Sequence, residues 1–153
     1  MPLPEPAHDL VAVKFLASTD CLRLGVGPAH DRLRVLFDGP GSQRQRRRFA
    51  KGMVALLRAS DFVRTTHDTV GPDGKPLEYD VYAIQVDVAS LQSLGATMVD
   101  GVWPTTWYVK LAIFISEGRK VHLLSLHCLE KVARRADGML LSPEWDDGYE
   151  KDD

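Results

Sequence analysis

Trp107-Tyr108-Val109-Lys110-Leu111-Ala112-Ile113-Phe114-Ile115, a Ser116-Glu117-Gly118 break, and then Arg119-Lys120-Val121-His122-Leu123-Leu124-Ser125-Leu126-His127 is the stretch that decides the fold. Its first half alternates as an extended chain does. Val109, Leu111, Ile113 and Ile115 share one side, and Tyr108, Lys110 and Ala112 share the other. With the turn between them the two halves predict a β-hairpin. The apolar side needs a helix to cover it, which leaves Tyr108 and Lys110 on an open face. In the second half Val121, Leu123, Ser125 and His127 fall on one side and His122, Leu124 and Leu126 on the other. That mixture does not fix where His127 points.

Upstream, Phe62 to Asp68 and Leu77 to Val88 flank Val70-Gly71-Pro72-Asp73-Gly74-Lys75-Pro76, whose Pro-Asp-Gly core is a turn, so a second hairpin is expected. Before it, Ser42 followed by Gln45 has the form of a capping box and starts a helix running to about Ala59. Phe49, Met53, Leu56 and Leu57 make one apolar stripe on that helix, with the arginines largely facing outward. Asp9 to Ala17 reads as a short amphipathic helix, and weaker helical periodicity recurs at His30 to Phe37 before the Asp38-Gly39-Pro40-Gly41 break. Ser90 to Met98 is one helical turn or a loop. Cys128 to Ala136 has helical composition and stops at Asp137-Gly138. Helices first and an antiparallel sheet after them is an α+β plan.

The chain has 153 residues, 44% of them apolar and 26% charged, enough for one domain with its own core and too apolar for bulk disorder. That domain is assigned to residues 1–143 and is followed by an acidic, flexible tail, 144–153. No apolar run reaches the roughly 20 residues that cross a bilayer. Met1-Pro2-Leu3-Pro4-Glu5-Pro6 lacks the basic flank and apolar run of a signal peptide, and Cys21 and Cys128 form no motif, so a reducing cytoplasm is expected. The net charge of −2 is a cancellation. Glu144, Asp146, Asp147, Glu150, Asp152 and Asp153 against Lys151 give the tail −5, and the body carries +3. Arg44, Arg46, Arg47, Arg48, Lys51, Arg58 and Arg64 face only Asp61, giving +6 within residues 44–64. Such a run is either a solvated helix face or the footprint of a phosphate-bearing partner. In the second case the tail could fold over it as a phosphate mimic.

Several local motifs, in order along residues 8–130, resemble the MqsR family of toxins from bacterial type II toxin–antitoxin systems, which are ribonucleases of RelE-like fold. They are His8-Asp9-Leu10 with Val13-Lys14 and Leu16; Ser60-Asp61-Phe62; Asp80-Val81-Tyr82; and Tyr108-Val109-Lys110-Leu111 with Leu124-Ser125-Leu126-His127. The resemblance implies a RelE-like α+β fold, cleavage of mRNA with or without the ribosome, and neutralisation by a cognate antitoxin. It has departures. The family places a lysine where Arg64 stands, a glutamine near Tyr79 and a lysine at the end of the last strand, where this chain has His127. The segment between Tyr82 and Tyr108 is longer, and the tail is extra.

Metal-independent RNA cleavage needs an acid–base group, positive charge on the phosphate and alignment of the 2′-hydroxyl. His127 suits the acid–base role, since an unperturbed histidine titrates near pH 6.5. Arg64 and Lys110 suit the phosphorane charge, and Tyr108 can orient the 2′-hydroxyl or stack on a base. Tyr79 stands in place of the family's glutamine and offers one hydroxyl. These five form the candidate catalytic set. For RNA binding the candidates are Arg44, Arg46, Arg47, Arg48 and Lys51, with His67 three residues beyond Arg64 and with Trp107. Trp103 and Trp107 flank Pro104 and could stack on bases, although packing is the commoner role for tryptophan. No residue spacing suggests a metal, and no cofactor motif is present. The alternative is a non-enzymatic RNA- or protein-binding module on the same fold, such as an inactive toxin, an antitoxin or an immunity-type partner.

Overall fold

Asp9 opens the first helix, its side chain accepting the Val11 N–H at 3.1 Å, so the orphan donors of the first turn are partly satisfied. That helix is α1, Leu10–Ser18. The computed structural model describes residues 3–25, 42–67, 69–98 and 101–143. The expected periodicity at His30 to Phe37, the Asp38-Gly41 break and the acidic tail lie outside the described residues. After α1 come β1 (Leu22–Leu24), α2 (Ser42–Ala55), a 3-10 turn (Ala59–Asp61), β2 (Phe62–Thr66), β3 (Tyr79–Gln85), α3 (Val88–Ser93), β4 (Thr106–Ile115), β5 (Arg119–Cys128), β6 (Ala133–Arg134) and β7 (Leu140–Leu141). The architecture is α+β.

Both expected hairpins form. In the β4–β5 hairpin Glu117 and Gly118 take φ of 53° and 100°, the positive values a tight hairpin turn demands. β2 and β3 pair antiparallel, and their link turns at Gly74 with φ of 82°. The sheet is not purely antiparallel, however. Its order is β1-β5-β4-β3-β2, and β1 lies parallel to β5, so the sheet is mixed. A three-residue strand straight after a helix carries too little alternation to be seen in the sequence.

One sheet face is the core face. Trp107, Val109 and Leu111 of β4 join Tyr82 and Ile84 of β3 and Leu126 of β5, under Phe49 and Met53 of α2, Leu57 just beyond its end and Val13 of α1. The rings of Phe49 and Trp107 lie 5.2 Å apart, which ties helix to sheet. α2 stops at Ala55, four residues short of expectation, and Leu56 turns outward while the buried stripe continues through Ala50 and Val54. Gly52 lets α3's neighbour Leu94 lie flat on α2, since a Cβ there would fall 2.1 Å from Leu94 Cδ2. α3 itself is short and capped by Asp87, whose carboxylate accepts the Ser90 N–H at 2.8 Å.

The segment after β5 departs most from expectation. Cys128 to Ala136 is not helical. It runs as a strap into the small β6–β7 hairpin, because its polar groups bond across the sheet rather than to each other. The Leu129 N–H donates to the Thr106 carbonyl and the Ala136 N–H to the Phe62 carbonyl. Arg135 Nε donates to the Ala83 carbonyl, and its Nη2 lies 3.0 Å from Asp61 Oδ1. The N-terminal segment is held to β3 by Asp80. Its carboxylate accepts the N–H groups of Ala7 and His8, both at 2.8 Å, and the Thr65 hydroxyl.

Candidate functional site

β4 and β5 are directly paired at Tyr108 and His127, then at Lys110 and Ser125. Beyond that pair β5 has one extra residue. Lys110 faces Ser125, but Leu111 faces Leu123, so Leu124 is bulged out of the ladder. The bulge reverses the alternation. Val121, Leu123 and Leu126 point to the core, while His122, Ser125 and His127 share the open face with Tyr108 and Lys110. Gly25 accommodates the irregularity, since a Cβ there would sit 2.9 Å from the Leu124 carbonyl oxygen.

Cross-strand rows place the remaining groups. Arg64 pairs with Val81 and Val81 with Lys110, so the two cations stand on either side of a short side chain, two strands apart. Ala83 opposite Tyr108 keeps the neighbouring row equally low. The result is a cleft of about 630 Å³ whose lining includes Arg64, Tyr108, Lys110, Ser125 and His127, with the strap from Leu129 to Arg134 as its wall. Four of the five candidate catalytic residues therefore meet in one place.

Their electrostatics follow from that setting. The Tyr108 and His127 rings stack, centroids 4.9 Å apart and planes 13° from parallel. Burial raises the Tyr108 phenol above its ordinary value, against a lowering by Arg64, so at neutral pH it is a protonated donor. Lys110 is shifted down, first by burial and second by the Arg64 charge. His127 Nδ1 lies 2.8 Å from the Cys128 carbonyl oxygen. A carbonyl only accepts, so Nδ1 carries a hydrogen and Nε2 is the nitrogen that gains or loses a proton.

Other candidates are placed elsewhere. Tyr79 is on the same sheet face but fully buried, its hydroxyl 2.7 Å from His122 Nδ1, and it lies outside the cleft lining. Burial pushes its phenol up to about 12, so it stays protonated at neutral pH and is committed to the His122 contact. Trp107 is 1% exposed on the core face, its Nε1–H donating to the Pro104 carbonyl at 2.7 Å, so it cannot stack on RNA. His67 lies just past β2, exposed beside Glu78 at 3.4 Å and absent from the cleft lining. The basic helix is not one outward footprint. Arg46 is 3% exposed, and Arg47 and Lys51 pair with Asp20 at 3.0 and 3.5 Å. Arg44 and Arg48 are exposed, but α2 covers the face of the sheet opposite the cleft. Sequence position alone had grouped charges that the fold separates.

Ser125, Glu130, Lys131 and Arg134 complete the cleft and were not foreseen. The signal available was the cluster Lys131, Arg134 and Arg135 directly after His127, but a helical reading of that segment disperses it. Among the described residues no group of three or more His, Cys, Asp or Glu is placed to hold a metal ion, and no helix is long and apolar enough to cross a membrane.

His122 gives a test of the buried half of this face. Burial, with the Arg23 charge, lowers its pKa below the unfolded value of about 6.5. As pH falls through 6.5 the unfolded chain takes up the proton first, so stability present above that pH is lost as the pH drops toward the folded value. The thermal midpoint is expected to fall between about pH 7 and pH 5, and to fall less in His122→Gln. Parallel curves for the two proteins would remove His122 as the cause.

No family model matches the chain, and neither a curated protein nor a solved structure does.

Proposed function

We propose that this chain is a metal-independent endoribonuclease acting on single-stranded mRNA, a toxin of RelE-like fold resembling the MqsR family and neutralised by a cognate antitoxin. The observation that carries the reading is the convergence of a stacked Tyr108–His127 pair with Arg64 and Lys110 in one cleft. The 2′-hydroxyl attacks the adjacent phosphorus and the 5′-oxygen leaves. His127 Nε2 moves the proton, Arg64 and Lys110 neutralise the charge that grows on the phosphorane oxygens, and Tyr108 holds the ribose by hydrogen bond. Dependence on the 2′-hydroxyl makes RNA the substrate rather than DNA. The local motifs that resemble that family run through the same strands that carry this set.

The deciding experiment is incubation of purified protein with single-stranded RNA in EDTA. Cleavage leaving a 2′,3′-cyclic phosphate is expected. Intact RNA that is nonetheless bound would favour the binding module, for which the basic lining of the same cleft is the supporting observation.

A further inference from the structure

The cations of the cleft come from two sources. Arg64 and Lys110 rise from the sheet, which is the floor. Lys131 and Arg134 come from the strap, which is the wall. The strap is fixed at both ends: Leu129 is bonded to Thr106, and Arg135 and Ala136 to Ala83, Asp61 and Phe62. Between those pins Lys131 and Arg134 are exposed. Among the described residues none of the four cations makes an ion pair, whereas Arg47 and Lys51 on α2 share Asp20.

Among the described residues these four like charges share the cleft with one acid, Glu130, and they repel each other until an anion enters. Strands lie about 4.8 Å apart, so Arg64 and Lys110 can converge over Val81 on one phosphate. The cleft, at about 630 Å³, has room for more than that one group. The Tyr108–His127 stack offers a flat π face beside it, which suits a base and has no counterpart in an acidic peptide.

We propose that the cleft is a two-phosphate site for a single-stranded polynucleotide. Arg64 and Lys110 hold the phosphate beside Tyr108 and His127, and Lys131 and Arg134 hold its neighbour along the strand. The proposal rests on reading the cleft as an RNA site, and binding can be measured without cleavage. The probe is a short 2′-O-methyl oligonucleotide, which cannot be cut, bound to the full chain over a range of salt. Each lost phosphate contact on a single strand lowers the slope of log K against log salt by roughly 0.7, so Lys131→Ala with Arg134→Ala, which removes the second phosphate's contacts, should lower it by roughly 0.7. Affinity for a dinucleoside monophosphate, which has one phosphate, should stay within about twofold. The exchange Lys131→Arg with Arg134→Lys, which keeps both charges, should restore the slope. An unchanged slope in the alanine variant, an equal loss for the one-phosphate ligand, or competition by polyglutamate as strong as by the oligonucleotide would each overturn the proposal. Wild-type protein that binds with the expected slope but leaves unmodified RNA intact in EDTA would sink the nuclease reading and leave the two-phosphate site standing.

Discussion

His127→Ala is expected to lower single-turnover RNA cleavage by about 100-fold or more, the usual cost of losing a positioned acid–base group. The physical ground is that Nδ1 is held by the Cys128 carbonyl, which aims Nε2, and that the ring lies flat on Tyr108. Tyr108→Phe should cost about as much while keeping the stack, because the phenol donates a hydrogen bond that phenylalanine lacks. Burial keeps that phenol protonated at neutral pH, so the Tyr108 variant should lower the rate without moving its pH profile. His127→Ala should change the shape of the profile. Neither ring is part of the main core, so both variants should melt close to wild type. Wild-type rates in both would remove this pair from the chemistry.

Asp61→Asn is expected to be among the most destabilising single changes. Asp61 is 0% exposed and lies 3.0 Å from the buried Arg135 guanidinium, with the Arg58 N–H donating to its other oxygen at 2.8 Å. Removing one partner of a buried pair leaves an uncompensated charge and costs about 3–5 kcal/mol. At about 2–4 °C per kcal/mol for a chain of this size, the thermal midpoint should fall by roughly 6–20 °C. Arg58 also approaches Asp61, at 3.5 Å, but its exposed side chain adds little. Asp61→Leu with Arg135→Met, which removes both charges, should recover much of the loss. A midpoint unchanged in Asp61→Asn would show that the pair does not hold the strap. The same pair positions the cleft wall, so the single variant should also weaken oligonucleotide binding.

Much of this fold is written locally. Asp9 as a cap, the Pro-Asp-Gly and Glu-Gly turns and the alternation of Trp107 to Ile115 each act within a few residues, so α1, both hairpins and the core face of β4 are legible in the sequence. That alternation is also what puts Tyr108 and Lys110 on the open side. Where the determinant is a contact between distant segments, the sequence is silent or misleading. Trp107 looks like a base-stacking residue until Phe49 covers it. The arginines of α2 look like one RNA footprint until Asp20 claims Arg47 and Lys51 and Arg46 is buried. Cys128 to Ala136 looks helical until its backbone finds Thr106 and Phe62.

The net charge of −2 likewise said little, because the cations that converge come from residues 64, 110, 131 and 134, which no window joins. By itself the sequence determined the α+β order, the turns and which side of β4 is apolar, since each is a matter of near-neighbour sterics and period. The tertiary structure alone decided that His127 faces the cleft. A period of two carries its phase only as far as the ladder is regular, and the bulge at Leu124 inverts it between Leu123 and Ser125.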